Sequence, residues 1–143
     1  MTPLIVDASI AVKWVVEETG TAEALTLKRT RRLAAPDLLS AECANILWKK
    51  VRRGELSPAE ASVAARLLQR VDIDLRPMRS FLDTATRIAI TLDHPAYDCL
   101  YLAMAEADGT RFVTADDQFL RKVKQDKTGR FAALVVCLSD VIC

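Results

Sequence analysis

The sequence holds a single histidine, His94, and it is followed by Pro95. Ser-His-Asp or Cys-His catalysis would have to run through that residue. A histidine before proline reads as a turn residue, so histidine chemistry is set aside. The four cysteines, Cys43, Cys99, Cys137 and Cys143, show no C-x-x-C spacing, which disfavours both zinc and a disulfide framework. Glycine and proline are scarce, at 4 and 5, beside a hydrophobic fraction of 51%. That composition excludes disorder and low complexity. Charge of one sign is also lacking: 20 Lys and Arg face 19 Asp and Glu, for a net of +1. A histone-like arm and an acidic tail are excluded, and any charged site must arise by local clustering. The longest apolar run, Phe131 to Leu138, is too short to cross a bilayer, and Met1 to Ile5 lacks a basic leader segment. The expectation is a protein of the reducing cytoplasm.

A chain of 143 residues suits one domain, and no linker, repeat or composition break divides residues 1–143. The mean hydropathy of +0.13 is high for a small protein. It implies apolar surface covered by a partner, and a homodimer through helix faces in the first half of the chain is expected.

Short β-rich runs alternate with helical periods. Leu4-Ile5-Val6 reads as a strand, with Ser9 as cap of a helix from Ile10 to Glu18. Helices are expected at 21–32 and at 38–53, the latter stopped by Gly54 and separated from the former by a strand at Leu33-Ala34-Ala35. Ser57-Pro58-Ala59-Glu60 is a capping box that starts a helix to about Val71. Ile73-Asp74-Leu75 alternates like a strand, and helices follow at 80–92 and 96–108. Arg111 to Thr114 reads as a strand, Asp116 to Gln125 as a helix and Ala133 to Leu138 as a last strand. Strands separated by helices indicate an α/β sandwich with a mainly parallel sheet, whose working site lies beyond the carboxyl ends of the strands.

Four carboxylates occupy telling places in that pattern. Asp7 and Asp116 each directly follow a strand, at the start of the next helix. Glu42 and Asp98 sit inside otherwise apolar helical stretches, Leu38 to Leu47 and Ala96 to Ala103, and Asn45 shares a helical face with Glu42. Singly, Asp7 and Asp116 read equally as helix caps, and Glu42 and Asp98 as acids stabilising helix dipoles. Together, converging faces would make each raise the cost of ionising the others. A divalent cation relieves that cost, and oxygen ligands alone select hard ions, Mg²⁺ or Mn²⁺. The chemistry this implies is metal-assisted phosphodiester hydrolysis. Asp117 leaves the fourth position open, with Asp116 preferred as the residue nearer the strand.

Val6-Asp7-Ala8-Ser9, Glu42-x-x-Asn45, Tyr97-Asp98-x-x-Tyr101 and Thr114-x-Asp116 occur in that order. Taken together they resemble the PIN-domain nucleases, specifically the VapC-like toxins of bacterial toxin–antitoxin pairs, over nearly the whole chain. The resemblance implies a three-layer α/β/α sandwich, Mg²⁺ or Mn²⁺, and endoribonuclease activity. It also implies homodimers held by an antitoxin that carries its own DNA-binding part. Asp7, Glu42, Asp98 and Asp116 match the acidic metal-site positions, and Ser9, Asn45 and Thr114 match the polar positions that support them.

Basic residues cluster at 28–32, 49–53 and 121–124, each readable as a solvated helix face or as positive potential for phosphates. Lys13, one turn after Ser9, is the best single candidate for a cation near the acids, and it reads almost equally as a surface lysine. Trp14, Trp48, Tyr97 and Tyr101 read as core or interface residues. A phosphoacceptor domain would need an acidic pair after the first strand, and an Asp-x-Asp phosphotransferase an acid where Ser9 stands. The serious rival is a housekeeping or non-catalytic RNA-binding use of the same fold.

Overall fold

The computed structural model describes residues 2–141. Five parallel strands, β1 (Leu4–Val6), β2 (Leu33–Pro36), β3 (Asp74–Arg76), β4 (Phe112–Thr114) and β5 (Val135–Cys137), form one sheet in the order β3-β2-β1-β4-β5. The helices are α1 (Ala8–Ala11), α2 (Thr21–Thr30), α3 (Leu38–Arg52), α4 (Pro58–Leu68), α5 (Leu82–Leu92), α6 (Ala96–Asp108), α7 (Asp117–Gln125) and α8 (Leu138–Val141). Every residue of β1, β2 and β4 is buried, as expected of parallel strands covered by helices on both faces. The result is the three-layer α/β/α sandwich.

Strand order fixes where a site can form. The chain leaves β1 for β2 and β3 on one side, then returns to β4 on the other. Ile5 pairs with both Ala34 and Phe112 at the centre. The crevice between β1 and β4, beyond their carboxyl ends, is thus the switch point where such sheets hold ligands. Beneath it α6 runs along the core with Cys99 through Ala105 all buried. Tyr101 stacks on Phe112 at 5.4 Å between ring centroids.

Several boundaries differ from the sequence expectation. The first helix ends early: α1 passes into a 3-10 turn over Val12–Trp14, where β-branched Val12, Val15 and Val16 disfavour further helix. Its cap is Asp7 rather than Ser9, because Asp7 holds the extended backbone that precedes a helix and its carboxylate accepts from the Ile10 amide. The capping box is present, with Ser57 and Glu60 satisfying each other's backbone N–H, but α4 stops at Leu68 rather than near Val71. A 3-10 turn, Met78–Phe81, precedes α5. The final strand is confined to Val135–Cys137 and is followed by α8, whose first residue the sequence pattern merges into the strand. Cys43, Cys99 and Cys137 are free thiols, and Cys143 lies outside the described residues. Among the described residues no helix is long and apolar enough to cross a membrane.

Candidate active site

Asp7 leaves β1 at the sheet's carboxyl edge and is 5% exposed. Both of its oxygens are held by neutral donors. Ser9 Oγ donates to Oδ1 at 2.5 Å, Thr114 Oγ1 donates to Oδ2 at 2.5 Å, and the Ile10 amide donates to Oδ1 at 3.3 Å. The same hydroxyls accept from the opposite turn: Ala115 N–H donates to Ser9 Oγ and Asp116 N–H to Thr114 Oγ1, each at 3.1 Å. Two hydroxyls therefore stitch the β1–α1 turn to the β4–α7 turn. Asp116 caps α7 through Oδ1, which accepts from the Gln118 and Phe119 amides.

Glu42 comes from α3, and its Oε1 accepts from the Tyr101 hydroxyl of α6 at 2.5 Å. Asp98, in the first turn of α6, lies 2.6 Å through Oδ2 from His94 Nε2. His94 in turn packs against Phe119 of α7. The expectation of an idle turn residue is therefore corrected: His94 stands against a site carboxylate. A signal for this exists in the sequence, since His94 and Asp98 are four apart across the Pro95 helix start.

Electrostatics links Asp98 to each of the other three acids. Burial pushes Asp7 up to about 7, and the charge of Asp98 adds to that rise while Ser9, Thr114 and Ile10 oppose it. Burial also raises Glu42, against its Tyr101 hydrogen bond and with help from Asp98. Asp98 itself is raised by burial and by Asp116, against the pull of His94. Asp98 is thus the member that every other acid meets electrostatically. Asp116, rather than Asp117, is the neighbour felt by Asp98. The thiols of Cys43 and Cys99 are each driven to about 12, by burial first and then by these same carboxylates. Neither offers a thiolate nucleophile near neutrality.

Two expected neighbours do not bond the site carboxylates. Asn45 is exposed and, among the described residues, makes no hydrogen bond to the carboxylates. Lys13 is drawn to Glu18 Oε1 at 3.2 Å and to the Thr19 carbonyl at 2.7 Å. Trp14 and Tyr101 are buried, whereas Trp48 and Tyr97 are 52% and 63% exposed and are not core residues.

The donor set suits a hard divalent ion. Among the described residues, Glu42 Oε2, Asp98 Oδ1 and Asp116 Oδ2 accept no hydrogen bond, so three carboxylates each present a free oxygen. No three His, Cys, Asp or Glu side chains of the described residues are already gathered into a group set to hold an ion. The chemistry of the donors fits nonetheless: oxygens only, with no described lysine or arginine paired to them.

The family profile of the PIN domain matches residues 4–125. Ribonuclease VapC3 of Pyrobaculum aerophilum is 34% identical over 122 residues, which is 83% of this chain and 93% of the relative. The solved structure of PAE2754 from Pyrobaculum aerophilum superposes with a TM-score of 0.69 at 24% identity, covering 99% of this chain and 93% of the other. Mycobacterium tuberculosis VapC20, described as a Sarcin-Ricin loop cleaving toxin, superposes with a TM-score of 0.62 at 14% identity over 81% of this chain and 92% of the other. With that profile spanning four of the five strands and all four acids, this chain belongs to the PIN-domain family and is a VapC-like member of it.

Proposed function

We propose that this chain is a single-domain, metal-dependent endoribonuclease over residues 1–143 and the toxin of a toxin–antitoxin pair, working in the cytoplasm. The observation that supports this reading is that Asp7, Glu42 and Asp116, each from a different element, all couple electrostatically to Asp98, while Ser9 and Thr114 tie the turns of Asp7 and Asp116 together. Asp7, Glu42 and Asp98 are all raised, in part by a neighbouring carboxylate, and no lysine or arginine of the described residues offsets the rise.

Asp7, Glu42, Asp98 and Asp116 would hold Mg²⁺ or Mn²⁺, with Ser9 and Thr114 fixing the Asp7 carboxylate and Tyr101 fixing Glu42. Such an ion, when bound, activates water and stabilises charge on the phosphodiester. The chain's own work is positional. Ser9 and Thr114 hold both Asp7 oxygens in place, and His94 orients Asp98 from the far side. Partners of these outer kinds commonly support metal affinity or activity by roughly 10–100-fold.

An apolar groove of about 210 Å³, lined in part by Trp14, Leu39, Cys43, Leu47 and Leu68, suits an apolar segment of an antitoxin. A homodimer would cover exposed apolar side chains, which include Val63 and Leu67 in the first half but also Leu75, Leu82, Ile90 and Tyr97 beyond it.

The test is cleavage of RNA by purified protein with Mg²⁺ or Mn²⁺, with excess chelator, and with Asp98→Asn. Expected are internal cuts that need the metal and fall by more than about a hundredfold in the variant. Full cleavage in chelator overturns the metal requirement. Harmless expression of abundant, folded protein in a bacterium lacking the antitoxin overturns the toxin reading and leaves a housekeeping nuclease.

A further inference from the structure

Three basic clusters stand out in the sequence, and their places in the fold are not equivalent. The cluster at 28–32 ends beside the amino ends of the strands: the Arg32 carbonyl accepts from the Leu4 amide, and Leu4 and Leu33 open β1 and β2. That is the edge of the sheet opposite the acids. The cluster at 121–124 lies on α7, which Asp116 caps; there Lys122 is committed to the Asp93 carbonyl at the turn between α5 and α6, while Arg121 and Lys124 are exposed.

The cluster at 49–53 shares α3 with Glu42, and its Lys49 and Arg53 line a groove together with Ser9 and Ala115. Glu42, Ile46, Lys49 and Arg53 follow one another at steps of four, three and four residues along α3 and its C-cap, so they form one row on the helix surface. At a rise of about 1.5 Å per residue, Lys49 lies about 10 Å and Arg53 about 16 Å along the axis from Glu42. That groove, of about 280 Å³, is lined by three members of this row, Ile46, Lys49 and Arg53. Its walls include Ser9 and Ala115, which link the acid turns, together with Lys49 and Arg53 and the Lys13–Glu18–Lys50 cluster. A second groove, of about 350 Å³, is lined by Lys49, Arg52 and Arg53 and so continues from the first.

The cations along this path differ in freedom. Lys13 and Lys50 are both committed to Glu18, at 3.2 and 2.6 Å. Lys49 is exposed with no ion pair among the described residues, and Arg52 sits over the Trp48 ring at 5.1 Å. Arg53 meets Glu55 only loosely, at 3.5 Å with both side chains well exposed, a pair that a stronger anion displaces readily.

We infer that Lys49 and Arg53 form the track that holds the phosphate backbone of single-stranded RNA as it runs from the acid crevice down α3, with Arg52 at its outer end. This rests on the nuclease reading above and names the surface that supplies its substrate affinity. An acidic centre repels a phosphate chain, so capture must come from unpaired cations a short distance away along a continuous path. Lys49 answers that need because it has no ion pair among the described residues, and Arg53 because only the exposed Glu55 holds it, whereas Lys13 and Lys50 are spent on Glu18.

The test is fluorescence anisotropy with a short, labelled single-stranded RNA of mixed sequence in excess chelator, so that no cleavage intrudes, at several salt concentrations. The intact chain is compared with Lys49→Ala/Arg53→Ala and with Lys28→Ala/Arg29→Ala. Each changed residue is exposed, and thermal melts check that the variants stay folded. Expected for Lys49→Ala/Arg53→Ala is binding weaker by about tenfold or more, with the log–log salt slope shallower by about 1.4, the share of two phosphate contacts on a single strand. Lys28→Ala/Arg29→Ala should bind as the intact chain does. With metal present, the first variant should show a raised KM at nearly unchanged kcat, the mark of lost uniform binding. Unchanged affinity and slope in Lys49→Ala/Arg53→Ala overturn the track, as does an intact chain that binds no RNA. Binding that follows the expected pattern without any metal-dependent cutting leaves the track standing and removes the nuclease reading instead.

Discussion

Asp7 and Glu18 stand close in the chain and meet burial in opposite ways. Around Asp7 the donors are neutral: two hydroxyls and one amide. They do not offset the burial that lifts it to about 7, and Asp98 adds to the rise. Burial works on Glu18 in the same direction, but the ammonium groups of Lys50 and Lys13 bring it below its ordinary value. One carboxylate has cations beside it; the other has only geometry. A fold that seeks stability alone follows the Glu18 pattern, because an unpaired buried charge is costly. Asp7, Glu42 and Asp98 are raised with no lysine or arginine partner, which supports the proposed cation site, and the cost of holding them ionised is measurable in the metal-free protein.

The largest effect that sharpens this contrast is in pH. The folded-state value for Asp7 lies above that of the unfolded chain, so the folded protein binds the extra proton. The penalty is therefore absent below about pH 4, grows as pH rises, and is complete above about pH 7. Its size is on the order of a few kcal/mol for Asp7. Glu42 and Asp98, also raised, act in the same sense, while Glu18 and Glu60, lowered, act in the opposite one. The informative quantity is thus the difference between Asp7→Asn and the intact chain, by urea unfolding in chelator. Asp7→Asn should gain stability relative to the intact chain as pH rises from about 5 to about 8, and lose cleavage throughout. A difference that stays flat with pH would mean that Asp7 is an ordinary helix cap.

Breaking the other half of the contrast should cost less. Glu18→Gln leaves Lys50, 8% exposed, with Glu55 at 3.7 Å as its remaining anion. The expected destabilisation is about 1–3 kcal/mol, discounted from the value for a fully buried pair because the Glu18 side chain is 25% exposed. Lys50→Met added to Glu18→Gln should recover part of it. Denaturant midpoints for the single and double variants check this, and a single variant as stable as the intact chain would show that the cluster does not depend on Glu18.

Much of this arrangement is legible without the fold. The strand-end positions of Asp7 and Asp116 follow from local punctuation, and the helical rows of Glu42 and Asp98 from periodicity, so the four acids can be named. What cannot be read is orientation that depends on tertiary packing or on the path of a loop. Lys13 reads as a site cation because it lies one turn from Ser9, but Glu18 and the Thr19 carbonyl turn it away. His94 reads as idle because its neighbour is proline, yet the turn presents its ring to Asp98. Trp48 and Tyr97 share the spacing of core residues and lie at the surface, since periodicity gives a face without saying what covers it. The break after Trp14 and the short α8 are ends of elements, where local propensity is weakest and packing decides.

The smallest expected effect separates an acid held for chemistry from one held for packing. Tyr101→Phe removes the hydroxyl that donates to Glu42 Oε1 and keeps the ring stacked on Phe112. Because the ring's volume and contacts survive, no large cavity forms; because Glu42 is only half-buried, water can replace the lost donor. The cost in stability should be about 1 kcal/mol or less. The functional effect has a direction in pH. That hydrogen bond opposes the rise of Glu42 caused by burial and by Asp98, so losing it moves Glu42 further up. Metal ligands must be deprotonated to bind, and the variant should therefore need more Mg²⁺ or Mn²⁺ than the intact chain on the acid side of neutrality, by a few-fold, with the gap closing as pH rises. Metal titrations of cleavage on the acid and the alkaline side of neutrality check this. A deficit of equal size at both would assign the Tyr101 hydroxyl to holding the position of Glu42 rather than its charge.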